Sequence, residues 1–193
     1  MTVTVDAVRA ALANTIDPNT QKDYVSGKEL KNVKVDGADV SFDIELGYPA
    51  KTQLDNIRQQ VIAAVKTVPG VGNVSVNVFS KIVAHSVQRG VKLMPGVKNI
   101  VAVASGKGGV GKSTTAVNLA LALAQEGATV GILDADIYGP SQPQMLGLAG
   151  QQPESTDGEH MEPLQAYGVQ AMSIGFMVDV DTPMVWRGPM ITQ

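Results

Sequence analysis

The sequence contains no cysteine, so neither a disulfide nor a cysteine-ligated metal site can form within its 193 residues. The sequence also lacks a large excess of either charge, because 15 Lys and Arg residues against 18 Asp and Glu residues leave a net charge of only −3. The longest apolar run, near Leu119–Ala124, is too short to span a bilayer. We therefore expect no nucleic acid and no membrane among its partners. The N-terminus lacks a signal-peptide pattern, which predicts a cytoplasmic protein.

The first 80 residues predict a small α+β domain, followed by a linker over residues 81–96. Apolar residues recur at helical spacing in two segments and at alternate positions in three others; the segments are 4–16, 52–68, Leu30–Val35, Val40–Leu46 and 74–79. Asp36-Gly37 between the first two alternating runs indicates a hairpin. The predicted order is therefore α-β-β-α-β. The linker holds glycines and a proline without a clean period, and we expect at most its start to be helical.

Residues 97–193 change to an α/β pattern. The apolar run Asn99–Ala104 predicts a buried strand, and residues 112–126 predict a helix. Thr129–Leu133 predicts a second buried strand, and Gly168–Ile174 predicts a third strand. We interpret this part as the N-terminal portion of a P-loop NTPase domain with a mainly parallel sheet, which makes the fold class α/β.

Between the first of these strands and the helix lies Gly106-Lys107-Gly108-Gly109-Val110-Gly111-Lys112-Ser113, followed by Thr114. The stretch fits G-x-x-x-x-G-K-[ST], whose backbone N–H groups cradle nucleotide phosphates at a helix N-terminus. Lys112 is expected to reach the β- and γ-phosphates, and the Ser113 hydroxyl to bind Mg²⁺. The alternative is a glycine-rich turn that matches by chance, and the flanking strand and helix favour the phosphate loop.

Two acidic residues follow the next predicted strand. Asp134 and Asp136 come directly after the apolar run that ends at Leu133. Ligands of open α/β sheets bind at the carboxyl ends of strands, so these residues are expected beside the phosphate loop. The alternative is a strand end and a turn cap without a role in binding.

Several motifs together resemble a known family. Lys107 gives the loop the form K-G-G-x-G-K-[ST], which is similar to the MinD/nitrogenase-iron-protein/ArsA group of dimerising ATPases. Further stretches make the chain resemble the Mrp/ApbC family of iron–sulfur cluster carrier ATPases; they are Leu133–Ser141, Met145–Gly147 and Val185–Met190. The first 80 residues, with the turn Ile16-Asp17-Pro18, resemble the small domain that precedes the ATPase in bacterial members.

The resemblance implies a homodimer that binds ATP and Mg²⁺, hydrolyses ATP and delivers clusters to apo iron–sulfur proteins. It also implies cluster-assembly factors as further partners. Lys107 would cross to the partner's phosphates, in the role of an arginine finger. Asp136 would lie near the attacking water, and Asp134 would join Ser113 at the Mg²⁺ shell. The catalytic residues expected from the resemblance are therefore Lys107, Lys112 and Asp136.

Two features of that family are absent from the 193 residues, namely the Asp-x-Pro-Pro-Gly-Thr strand end and the Cys-x-x-Cys pair. We therefore expect a truncated family member that hydrolyses ATP weakly or not at all, with iron–sulfur ligands only in the full-length protein. Two alternatives stay open. One is a ParA/MinD-like positioning ATPase, which predicts a C-terminal amphipathic membrane helix or a basic DNA-binding surface. The other is a non-catalytic interaction module.

Overall fold

The computed structural model describes residues 2–84 and 94–177, and the chain divides into two compact units, Met1–Ile100 and Val101–Gln193. Of the predicted linker, residues 81–84 and 94–96 form neither helix nor strand. Residues 81–84 are therefore not helical, and residues 85–93 lie outside the described part.

The first unit has the predicted order of elements. Its helices are α1 (Val5–Ala13) and α2 (Leu54–Lys66), and its strands are β1 (Leu30–Asp36), β2 (Asp39–Leu46) and β3 (Val74–Ser80). The three strands form one sheet in the order β1-β2-β3. The hairpin is confirmed, because β1 and β2 pair antiparallel with Asp36 opposite Asp39. The strands β2 and β3 pair parallel, with α2 as the connection between them.

Hydrophobic periodicity explains this unit. Every second residue of β2 is buried, with Val40, Phe42, Ile44 and Leu46 no more than 3% exposed. The helices α1 and α2 each turn one apolar face inward, and their buried residues are Val8, Leu12, Ile57, Val61 and Val65. A side-chain cap begins α1, since the Thr4 hydroxyl accepts from the Ala7 N–H at 3.2 Å. The core thus lies between one sheet face and two helices.

The second unit contains α3 (Lys112–Gln125), β4 (Val130–Asp134), α4 (Gln142–Met145), β5 (Leu164–Ala166) and β6 (Val169–Ser173). Its strands form a mixed sheet in the order β4-β6-β5, in which β4 and β6 are parallel and β5 and β6 antiparallel. The predicted helix and the second and third strands are confirmed as α3, β4 and β6. The sequence did not predict the short elements α4 and β5.

Two predictions about burial and strands are wrong for the part of the chain from residue 99 onward. Residues 99–104 form no strand in the described structure, and Ile100 and Val101 are 72% and 65% exposed. A strand needs a hydrogen-bonded neighbour, and neither described sheet includes this segment. Strand β4 exists but is not buried on both faces, since Leu133 is 77% exposed. An apolar run indicates a buried strand only when other elements cover it.

Among the helices of the described ranges, none combines the length and apolar character required to cross a bilayer.

Candidate functional site

The glycine-rich loop lies directly before α3. Gly109 and Gly111 have φ of +73° and +87°, a conformation that side chains with a Cβ rarely adopt. A Cβ placed on Gly106, Gly108, Gly109 or Gly111 would meet no atom within 4 Å. The glycines therefore leave the loop backbone open to close approach by a ligand.

The first turn of α3 continues this loop. Gly111 is the N-cap of the helix, and no side chain caps it. The first backbone N–H groups of a helix have no partner within the helix, so those of Lys112 and its neighbours are available to an anion. The helix dipole adds a favourable partial charge at the same place. This end of α3 is therefore suited to a phosphate group.

Lys112 and Asp136 form an ion pair across the site. The Lys112 Nζ lies 2.7 Å from the Asp136 Oδ2, and both side chains are about one third exposed. The hydrogen bond from Lys112 lowers the pKa of Asp136 below its ordinary value, and the Gly139 N–H, which donates to Oδ1 at 3.2 Å, lowers it further. Asp136 is thus an ionised acceptor at neutral pH, held against the loop lysine.

Asp134 is bound mainly by its own chain segment. Its Oδ1 accepts from the Asp136 N–H at 3.1 Å, and its Oδ2 accepts from the N–H groups of Ser141 and Gln142, also at 3.1 Å. The Ser173 hydroxyl, at the end of the neighbouring strand β6, donates to the same Oδ2 at 3.4 Å. A carboxylate has about four acceptor sites, so Asp134 mainly fixes the segment that follows β4.

Two buried polar atoms at this site have no hydrogen-bond partner among the described residues, the Ser141 Oγ and the Gln142 Oε1. Gln142 is 3% exposed, and its Nε2 donates to the Ser113 carbonyl at 3.4 Å. Unpaired buried polar atoms are uncommon in folded proteins, because burial removes their hydrogen bonds to water and no other bond replaces them. Their presence here fits a site that completes its hydrogen bonds with a ligand or its water shell.

A cavity of about 330 Å³ brings these groups together. Its walls include Lys112, Ser113, Asp134, Asp136 and Gln142. Hydroxyl, carboxylate and amide oxygens beside a lysine form a donor set suited to Mg²⁺ and phosphate. The open loop backbone and the unpaired buried oxygens also fit a metal-bound nucleotide.

Lys107 lies apart from that cavity. The Ser105 hydroxyl accepts from the Lys107 N–H at 3.1 Å and donates to its carbonyl at 2.8 Å, which fixes the backbone. The residue itself is exposed. The structure therefore brings Lys112, Ser113, Asp134 and Asp136 together in one cavity lining, whereas Lys107 is exposed and is not part of that lining.

Three residues of the site were missed by sequence reasoning: Ser141, Gln142 and Ser173. Ser173 lies opposite Asp134 in the β4–β6 register, which only the strand order reveals. Ser141 and Gln142 follow Asp134 by seven and eight residues and carry no periodic signal. The available hints were their position after the carboxyl end of a strand and, for Ser141, its place in the stretch Leu133–Ser141.

Comparison with protein-family models gives two matches. Residues 96–193 match the family described as "NUBPL iron-transfer P-loop NTPase". Residues 5–78 match the family described as "Iron-sulfur cluster assembly protein". The two matches fall on either side of the predicted linker.

Several curated relatives are similar over most of the chain, and each is named "Iron-sulfur cluster carrier protein". The protein from Synechocystis is 46% identical over 98% of this chain and 54% of its own length. The protein from Escherichia coli K12 is 41% identical over 97% of this chain and 52% of its own length. The protein from Pseudomonas fragi is 56% identical over 67% of this chain and 45% of its own length. The chain thus spans about half the length of the curated relatives it matches.

Among solved structures, a crystal structure of a domain of unknown function, DUF59, from Bacillus anthracis is 24% identical. It covers 38% of this chain and 72% of the other chain, with a TM-score of 0.36. A likeness of this size carries no argument about function.

Proposed function

The chain belongs to the NUBPL iron-transfer P-loop NTPase family, and from this premise we propose that it binds ATP with Mg²⁺ and acts in carrying iron–sulfur clusters to apo-proteins. The observation that carries the proposal is the convergence of Lys112, Ser113 and Asp136 on one cavity beside the glycine loop. Cluster carriage is proposed from the printed names of the curated relatives. A cytoplasmic location is part of the same proposal.

Each group of the cavity has a proposed task. The loop N–H groups and the Lys112 ammonium bind the phosphates. The Ser113 hydroxyl binds Mg²⁺, and Asp134 stands at the edge of its water shell, since its oxygens already accept four hydrogen bonds. Bound Mg²⁺ neutralises charge on the phosphates.

The ion pair between Lys112 and Asp136 has a proposed part in nucleotide binding. When the Lys112 ammonium turns to the phosphates, Asp136 loses its 2.7 Å partner. The freed carboxylate is an acceptor that can orient the water attacking the γ-phosphate. ATP hydrolysis is proposed for the family site, with Asp136 in that role.

In this proposal the iron–sulfur cluster is cargo. The chain has no cysteine, so none of its 193 residues offers a thiolate to a cluster. The apo iron–sulfur proteins and cluster-assembly factors expected from the sequence remain proposed partners.

The proposed homodimer gives Lys107 its task. An exposed lysine beside the phosphate loop supplies positive charge to a nucleotide held by a second copy. We expect Lys107→Ala to leave nucleotide affinity within about 2-fold and to weaken dimerisation that depends on a non-hydrolysable ATP analogue, because its contact is made only across the dimer. Sedimentation velocity measures the association. If the variant and the unchanged chain associate equally, the proposed contact of Lys107 across the dimer is wrong.

The proposed nucleotide site is tested by calorimetry with Mg·ADP. We expect Lys112→Ala to weaken binding by at least about 100-fold, since the phosphates lose their main positive partner. Lys98→Ala, at an exposed position outside the loop, is the matched control and retains the affinity of the unchanged chain. Unaltered affinity of Lys112→Ala would show that the loop does not hold phosphates through this lysine.

A further inference from the structure

The side chain of Gln142 connects the two parts of the candidate site. Gln142 is the first residue of α4 and lines the cavity, and its backbone N–H donates to the Asp134 Oδ2 at 3.1 Å. Its side-chain Nε2 donates to the Ser113 carbonyl at 3.4 Å, in the first turn of α3. One residue therefore contacts both the segment after β4 and the helix that follows the phosphate loop.

The other atom of this amide is unsatisfied. The Gln142 Oε1 is buried and accepts no hydrogen bond from any residue in the described ranges. Leaving a buried acceptor unpaired costs about 1–3 kcal/mol. At a position that is 97% buried, an apolar side chain of similar size would fill the same space without the cost of an unpaired acceptor. The polar oxygen therefore indicates a partner that binds in the cavity.

The neighbours of Gln142 indicate the chemistry of that partner. Its side chain contacts Ser113, and its backbone contacts Asp134, the two residues proposed for the Mg²⁺ shell. Magnesium gives up its waters reluctantly and usually keeps several of them in a protein site. Such waters are strong donors, and an uncharged amide oxygen is a suitable acceptor for one of them.

We propose that Gln142 is a positioning residue for the metal, whose Oε1 accepts a hydrogen bond from a Mg²⁺-bound water while its Nε2 holds the Ser113 carbonyl. The inference rests on the proposed nucleotide site and adds a residue to it. Outer-shell partners of this kind orient the ligands of a metal, and their loss commonly weakens metal binding by about 10–100-fold. Gln142 would thus determine how much Mg²⁺ strengthens nucleotide binding.

The test compares ADP affinity with Mg²⁺ and with EDTA, by calorimetry on the 193-residue chain. The magnesium enhancement is the Kd in EDTA divided by the Kd in Mg²⁺. Gln142→Met removes the acceptor, keeps the unbranched shape and leaves the backbone bond to Asp134 in place. We expect it to lower the enhancement by about 10-fold and to leave the Kd in EDTA within about 2-fold.

Gln144→Met is the matched control, since Gln144 lies in the same helix but is exposed. We expect it to match the unchanged chain under both conditions. Gln142→Asn withdraws the amide by one methylene and is expected to lower the enhancement, which keeps the test decisive if the methionine variant does not fold.

Other outcomes would overturn the inference. An enhancement unchanged in the methionine and asparagine variants would exclude contact with the metal shell. Equal losses of affinity in Mg²⁺ and in EDTA would show a structural role only. An unchanged chain that binds ADP without any magnesium enhancement would overturn this inference and leave the phosphate loop standing. No ADP binding under either condition would overturn the proposed nucleotide site itself.

Discussion

The two units of the chain bury their side chains to different extents. Within the described residues, the first unit has a core cluster of thirteen buried apolar residues and the second a cluster of five. Two apolar residues of the second unit are largely exposed, Val101 at 65% and Leu133 at 77%. The first unit is organised around a core, whereas the polar residues of the second converge on a cavity. The larger core and the candidate site thus lie in different parts of the sequence.

Two buried polar residues, one in each unit, differ in their hydrogen bonds. Asp17 is fully buried in the first unit and accepts from the Asn19 N–H at 2.9 Å, the Thr20 hydroxyl at 3.1 Å and the Tyr48 hydroxyl at 2.7 Å. In the second unit, Gln142 is equally enclosed, yet its Oε1 has no partner among the described residues. Asp17 thus stabilises the first unit through its own partners. An unpaired buried oxygen alone does not mark a ligand site, since the Glu29 Oε2 of the first unit is also unpaired among the described residues. Gln142 differs because it lines the cavity.

The largest effect is expected from removing a buried leucine in each unit. Leu12→Ala in α1 should destabilise the first unit by about 2–5 kcal/mol, because the dense core around it cannot collapse into the cavity. Leu146→Ala, 2% exposed in the smaller cluster, should fall at or below the lower end of that range. Hydrogen exchange in urea, followed in peptides from each unit, measures both.

The control for this pair is Leu119→Ala, because Leu119 is 39% exposed on α3. We expect a change within about 0.5 kcal/mol. A larger loss from Leu146→Ala than from Leu12→Ala would invert the comparison between the two cores.

A smaller effect is expected at the satisfied carboxylate. Asp17→Asn replaces one carboxylate oxygen with an NH₂ group, which cannot accept a hydrogen bond from the donors around it. We expect the free energy of unfolding to fall by about 1–3 kcal/mol. Tyr48→Phe removes one of these donors and should cost less. A double-mutant cycle measured by urea unfolding should show coupling between the two changes. Independent, additive effects would mean that the 2.7 Å contact contributes nothing to stability.

The smallest effect concerns a second buried acid of the first unit. Burial, reinforced by the carboxylates of Asp17 and Asp23 and opposed by Lys22, raises the pKa of Glu29 from 4.5 to about 7. The folded state therefore holds this proton more tightly than the unfolded state, and its contribution to stability is present below pH 4.5 and lost as the pH rises to about 7. We expect Glu29→Gln to flatten the stability curve across that interval.

Glu45→Gln on strand β2 is the control for this pH dependence, since Glu45 pairs with Lys81 at 3.3 Å. Thermal unfolding between pH 4 and pH 8 compares the variants. The assignment fails if Glu29→Gln retains the slope of the unchanged chain.

Sequence patterns predicted the first unit well because its elements are long and one-sided. The alternation of β2 and the helical stripe of α2 each identify the buried face directly. The same reasoning failed for Asn99–Ala104, because an apolar run does not show whether a neighbouring strand is present to pair with it. The three residues of β5 are too few to show any period.

The candidate site, too, could be predicted only in part from the sequence. The glycine spacing and Lys112 predict a phosphate loop, because that chemistry depends on a contiguous stretch. The roles of Asp134 and Gln142 depend on contacts between segments, such as the 3.4 Å bond from Gln142 to Ser113. No local pattern encodes such a contact, so only the folded chain reveals it.

The most direct test of the account is hydrogen exchange of the chain with and without Mg·ADP. Ligand binding to the cavity should slow exchange in residues 106–115 and 134–142, since these segments surround Lys112, Asp134 and Gln142. Residues 30–46 and 54–66, in the core of the first unit, should exchange at unchanged rates. Unchanged exchange over 106–115 under saturating Mg·ADP would contradict the central claim that this loop is the nucleotide site.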